Sequence, residues 1–146
     1  MKYDELLSRF GRKVPRLRSH PRDLEHQLQT ACVHWFRWRF PQYERLLFAI
    51  PNGGRRDVIT GARLKAEGVM AGVADLQLAV PAQNYHGLFI EMKTDTGRQT
   101  VAQKNFAAAV LEKGYLYTVC RSKEDFEKTI KNYLQCKAVG LRLTGR

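Results

Sequence analysis

Asp75 and the triplet Glu91-Met92-Lys93 are the residues whose types and spacing carry chemistry. Glu91 and Lys93 lie two apart in a run, 88–93, that reads as a strand, so both point the same way: Leu88, Ile90 and Met92 take one face, Phe89, Glu91 and Lys93 the other. Asp75 opens a second such run, 75–80, with Leu76, Leu78 and Val80 on one face and Asp75, Gln77 and Ala79 on the other. The connector, residues 81–87, is short enough for a hairpin. Folding it about residues 83–84 pairs Asp75 with a position near 92. Cross-strand partners share a face, so Asp75 comes to lie beside Glu91 or Lys93. Two carboxylates brought together repel unless a cation sits between them. A hard divalent ion suits the site: Mg²⁺ takes one or two carboxylates and completes its octahedron with water and a substrate phosphate. Lys93 beside it would position or help deprotonate an attacking water, or stabilise charge on the phosphate. The same spacing is equally that of a salt-bridged surface strand.

The elements that must hold these groups are legible on either side. Over 21–40 the residues Leu24, Leu28, Ala31, Trp35 and Trp38 recur at helical spacing, Pro21 suits a first turn and Pro41 ends the helix. Glu25, Leu28, Cys32 and Phe36 form a second stripe, so Glu25 borders the buried face. Residues 46–50 read as a short buried strand closed by the turn Pro51-Asn52-Gly53-Gly54, and 55–67 as a helix stopped by Gly68. Thr100-Val101-Ala102-Gln103 has the form of a capping box opening a helix over 100–112, which stops at Gly114. A strand over 115–120 follows, and Ser122 caps a last helix with Phe126, Ile130, Tyr133 and Leu134 in helical register. The order α-β-α-β-β-α-β-α predicts a mixed α/β domain, a small mixed sheet flanked by helices.

Length and charge narrow the classes. The 146 residues make one domain, and 44% apolar residues are ordinary for a globular chain. No apolar run approaches a membrane span, and no secretory leader is visible. Cys32, Cys120 and Cys136 are odd in number and unpaired by spacing, which predicts reduced thiols in a cytoplasmic chain and no zinc site. His20, His26, His34 and His86 form no ligand pattern, and no Gly-rich phosphate loop is present. Lys and Arg number 25 against 14 acids, a net charge of +11. The charge gathers at the ends: residues 1–22 carry +5 and residues 137–146 carry +3. We expect a basic arm over 1–20, a domain over 21–136 and a basic tail over 137–146. Basic ends on a nearly balanced body point to a polyanion, nucleic acid first, or else to frayed solubilising termini.

Gly72-Val73-Ala74-Asp75 followed by Gly87-Leu88-Phe89-Ile90-Glu91-Met92-Lys93 resembles the D-x(n)-E-x-K signature of the PD-(D/E)XK nuclease superfamily. The longer ordered set resembles its VRR-NUC family: Ile50-Pro51-Asn52-Gly53-Gly54, residues 66–75, Gly97, Gln103-Lys104-Asn105-Phe106, and Gly114-Tyr115. The match runs from about Glu25 to Phe126. It departs at Ala74, where the superfamily has proline, a position that shapes the turn and supplies no ligand.

The resemblance implies a restriction-endonuclease-like core and a metal-dependent DNA nuclease leaving 5′-phosphate and 3′-hydroxyl ends. It adds Glu25 as an acidic group at the metal and Gln103 as a residue of the catalytic set with Asp75, Glu91 and Lys93. The expected site holds Mg²⁺ or Mn²⁺ between Asp75, Glu91, the Met92 carbonyl and Glu25. Arg12, Lys13, Arg55, Arg56, Arg98 and Lys104 are the expected phosphate contacts. Compact stand-alone members of this family look like structure-specific, Holliday-junction-type enzymes of repair or recombination that act as symmetric homodimers, often phage-encoded and so working in a host cytoplasm. The alternatives are a monomeric end- or flap-processing nuclease recruited by a replication partner, and a non-catalytic nucleic-acid-binding protein on the same fold.

Overall fold

The computed structural model describes residues 21–52 and 57–135. The expected basic arm and tail, Arg12, Lys13, Arg55, Arg56 and Cys136 lie outside them. The elements run α1 (Pro21–Arg39), a 3₁₀ turn (Pro41–Leu46), β1 (Leu47–Ala49), α2 (Val58–Ala66), β2 (Leu76–Leu78), β3 (Leu88–Met92), α3 (Val101–Glu112), β4 (Leu116–Cys120) and α4 (Lys123–Gln135). The α/β class and element order are those expected. The 3₁₀ turn is an addition: Pro41 stops α1 and starts a tighter turn that takes Leu46 from the expected strand.

The sheet has the order β1-β2-β3-β4, with β1, β2 and β3 antiparallel in turn and β4 parallel to β3. The β2–β3 hairpin turns through Gln83 and Asn84, both at positive φ (52° and 66°), inside an Ala82–Tyr85 bridge. That is the turn hand which matches strand twist. It sets Leu76 opposite Ile90, Gln77 opposite Phe89 and Leu78 opposite Leu88. One step further along the same register, Asp75 stands opposite Glu91.

Leu76, Leu78, Leu88, Ile90 and Met92 form one face, buried with Cys32 and Phe36 of α1 and Phe126, Ile130 and Tyr133 of α4. α3 covers the other face, where Phe106 meets Phe89 edge-on at 5.1 Å between ring centroids. With helices on both sides, every residue of β3 is buried, Glu91 included. Truncating Phe126 to alanine would cost about 3–5 kcal/mol, the range for deleting a core aromatic ring.

α1 buries one of its stripes more deeply than the other. Of its two apolar stripes, the one through Leu28, Cys32 and Phe36 faces the sheet, whereas Leu24 is 43% exposed and Trp38 76% exposed. Trp35 lies at the edge, its ring against Phe40 and Phe126. The sheet and α4 together take up the Leu28–Cys32–Phe36 stripe, and Leu24 and Trp38 lie outside that contact. α2 begins later than expected because Asp57 caps it, accepting the Thr60 N–H at 2.7 Å and the Thr60 hydroxyl at 2.9 Å. Cys32 and Cys120 are free thiols, their pKa values pushed up by burial to about 12 and about 11, so neither is a poised nucleophile.

Candidate active site at the β2–β3 sheet edge

Asp75 is delivered by a loop tied at several points. Its carbonyl accepts the Ile50 N–H at 2.8 Å, and Asn52 donates its side-chain amide to the Val73 carbonyl at 2.6 Å. Gly72, at φ +89°, lies so close to α3 that an added Cβ would come within 2.6 Å of the Ala102 backbone. Asn52 is thereby an anchor for the loop that carries Asp75, while Gly53 and Gly54 of the expected turn lie outside the described residues. Asp75 Oδ2 accepts the Met92 N–H at 2.7 Å, which locks the carboxylate across to the next strand.

Glu91 is 1% exposed and is the buried acidic residue of the described core. Its Oε1 receives the Gln103 amide at 2.5 Å and pairs with Lys93 Nζ at 3.1 Å, and its Oε2 receives the Tyr117 hydroxyl at 3.3 Å. Gln103 does two jobs with one side chain. Its Oε1 accepts the Thr100 N–H at 2.8 Å, closing the capping box, while its Nε2 reaches Glu91. The structure thus brings together Asp75, Glu91, Lys93 and Gln103. Glu25 enters from α1 just past the C-terminal end of β3, where its carboxylate accepts the Thr94 N–H at 3.4 Å.

Burial pushes the Glu91 carboxyl up to about 7, the Asp75 charge adds to it, and Lys93 and Tyr117 pull the other way. Asp75 is also raised, by burial first; the Met92 N–H and Lys93 oppose that rise and the Glu25 charge adds to it. Both carboxyl groups are thus raised, by burial first, and each adds to the cost of charging the other.

Among the described residues, no three His, Cys, Asp or Glu side chains converge tightly enough to cage a metal by themselves. Asp75 and Glu91 form a two-carboxylate site, with Glu25 standing off at its edge. Mg²⁺ needs no more protein than this, since one or two carboxylates with water and phosphate complete its shell. The donors are hard oxygens, so the set fits that ion.

Three residues absent from the expected set shape the site. Tyr117 and Gln99 hydrogen bond to each other at 3.1 Å on the Oε2 side of Glu91. Arg121 donates Nη1 to the carbonyls of Thr94 and Gly97, each at 2.7 Å, fastening the loop that follows Lys93. The sequence signal for Tyr117 was its alternation on β4, where it pairs with Phe89 and so shares the Glu91 face; Gln99 and Arg121 carried none. Arg98 and Lys104 are exposed near the start of α3. A groove along α1, lined by His26, His34, Trp35 and Trp38 among others, contains none of the acidic pair.

The VRR-NUC domain profile matches residues 16–124. The chain belongs to the VRR-NUC family. A solved structure of a VRR_NUC domain protein superposes with a TM-score of 0.67 at 26% identity, covering 77% of this chain and 88% of that one. Comparison with curated proteins gives no match. VRR-NUC membership accounts for the mixed sheet with helices on both faces, and makes the chain a member of a nuclease family whose superfamily generally uses divalent metals. Among the described residues, no helix is long and apolar enough to cross a membrane.

Proposed function

We propose that this VRR-NUC chain is a Mg²⁺- or Mn²⁺-dependent deoxyribonuclease that cuts branched, Holliday-junction-like DNA as a homodimer. The observation that supports the reading is Glu91: a carboxylate 1% exposed, opposite Asp75, with Lys93 and Gln103 on one of its oxygens. A protein that only binds polyanions gains nothing from clustering a buried Glu91 with Asp75 where phosphate would lie. Asp75, Glu91, the Met92 carbonyl and Glu25 would hold the ion, which when bound polarises the scissile phosphate and lowers the pKa of water. Lys93, fixed by Glu91, presents its ammonium to the attacking water or to charge developing on the phosphate. Exposed Arg98 and Lys104, with Arg55, Arg56, Arg12 and Lys13, are the proposed phosphate contacts. A two-fold enzyme matches a two-fold DNA branch.

The test is cleavage of four-way junction, flap, duplex and single-stranded DNA with Mg²⁺ or Mn²⁺, alongside the molar mass of the protein in solution. Junction cutting by a dimer is expected. Asp75→Ala, Glu91→Ala and Lys93→Ala should each lose about 10²–10⁴ of the rate, the range for deleting a proton-transfer or charge-stabilising group. DNA affinity should be unchanged or tighter in the carboxylate variants, because a repulsion has gone. Normal cutting by Asp75→Ala would remove the site assignment, and preference for flaps or ends by a monomer would replace the junction reading.

A further inference from the structure

We infer that Tyr117, aligned by Gln99, is a positioning residue that sets which oxygen of Glu91 faces the cation; the inference rests on the metal-dependent reading above. Gln99 Nε2 can only donate, so in the 3.1 Å hydrogen bond the Tyr117 oxygen must accept. The phenolic proton is then directed away from Gln99, and Glu91 Oε2 at 3.3 Å receives it. The other oxygen of Glu91 already serves two donors, Gln103 and Lys93. A carboxylate oxygen has two lone-pair sites, so among the described residues Oε1 is saturated by N–H donors and Oε2, with the Tyr117 hydroxyl as its donor, keeps one site free of them. That open site is on the oxygen Tyr117 holds.

The placement of Tyr117 is overdetermined. β4 lies parallel to β3 with Tyr117 paired to Phe89, two residues before Glu91, and the ring packs against Phe106 of α3 at 6.3 Å between centroids. Gln99 sits in the segment between Lys93 and the Thr100 cap, so the loop that leaves the site returns a side chain to support it. Second-layer hydrogen bonds of this kind orient a ligating carboxylate, and their loss typically weakens metal affinity 10–100-fold.

Tyr117→Phe keeps the ring and removes only the donor. We expect Mn²⁺ binding by the DNA-free protein, read by calorimetry or by the electron spin resonance of free Mn²⁺, to weaken about tenfold, with a matching rise in the Mn²⁺ needed for half-maximal cleavage. Gln99→Leu should weaken binding in the same direction by less. The double variant should equal Tyr117→Phe, because Gln99 acts through the tyrosine. Thermal melts establish that each variant is folded, and Gln99→Leu carries the test should Tyr117→Phe not fold. Wild-type Mn²⁺ affinity in both single variants would overturn the inference while leaving the nuclease reading intact. Absence of Mn²⁺ binding by the wild-type protein would overturn the metal reading itself, and this inference with it.

Discussion

One amide joins a helix start to a buried acid: Gln103 closes the cap on Thr100 through its oxygen and reaches Glu91 through its nitrogen. The first turn of α3 is thereby referenced to the centre of the sheet, and the two functions are separable. Thr100→Ala loses only the cap and should destabilise the fold by about 1 kcal/mol with cleavage retained. Gln103→Ala should lose a similar stability and, in addition, about tenfold or more in cleavage as Glu91 is freed to turn. Melting curves and rates on the two variants make the comparison, and equal rates would reduce Gln103 to a helix cap.

Acid should raise the metal requirement. The Glu91 carboxyl lies at about 7 against an ordinary 4.5. Between those values the folded, metal-free protein keeps on Glu91 a proton that the unfolded chain has lost, so the contribution of Glu91 to stability is fully present below about 4.5 and is lost as pH rises to about 7. A cation must displace that proton, so below pH 7 each unit should demand about tenfold more Mg²⁺ for half-maximal cutting. Melts with chelator and with Mg²⁺, at low and high pH, should show the two curves diverging as pH rises. Glu91→Gln in chelator should lose less stability than the wild type between acid and neutral pH, and an identical pH dependence in the two would contradict the raised Glu91 carboxyl.

Glu25→Gln preserves size and helix propensity and removes one charge. Glu25 stands at the end of β3 against the Thr94 N–H and adds to the negative field at Asp75. The variant should need several-fold more Mg²⁺ for half-maximal cleavage, with the saturated rate little changed. Superimposable Mg²⁺ curves would leave a site of Asp75 and Glu91 alone.

Deleting residues 1–18 removes six basic and two acidic groups. DNA binding should weaken, and the slope of log affinity against log salt should flatten by about 0.9 for each phosphate that the arm no longer neutralises. An unchanged slope would make the arm a solubilising extension.

Local chemistry determined much of this protein without help from the fold. Period-two alternation put Glu91 and Lys93 on one face. The seven-residue connector forced a hairpin that sets Asp75 across from Glu91, and Thr100 with Gln103 announced their helix start because a capping box is complete within four residues. Phe126, Ile130, Tyr133 and Leu134 marked the buried face of α4 for the same reason. Interactions with no sequence period stayed hidden. Two apolar stripes on α1 were equally regular, and only packing against the sheet and α4 decided that Cys32 and Phe36 go in while Trp38 stays out. Tyr117, Gln99 and Arg121 reach the site from separate segments, across a parallel β3–β4 pairing that no short connector dictates. The burial of Glu91 likewise depends on α3 closing over the second face, so its raised carboxyl belongs to the tertiary structure. Residue types and spacing determined that Asp75, Glu91 and Lys93 meet, because strands and hairpins are local; their protonation and orientation were decided by what packs around them.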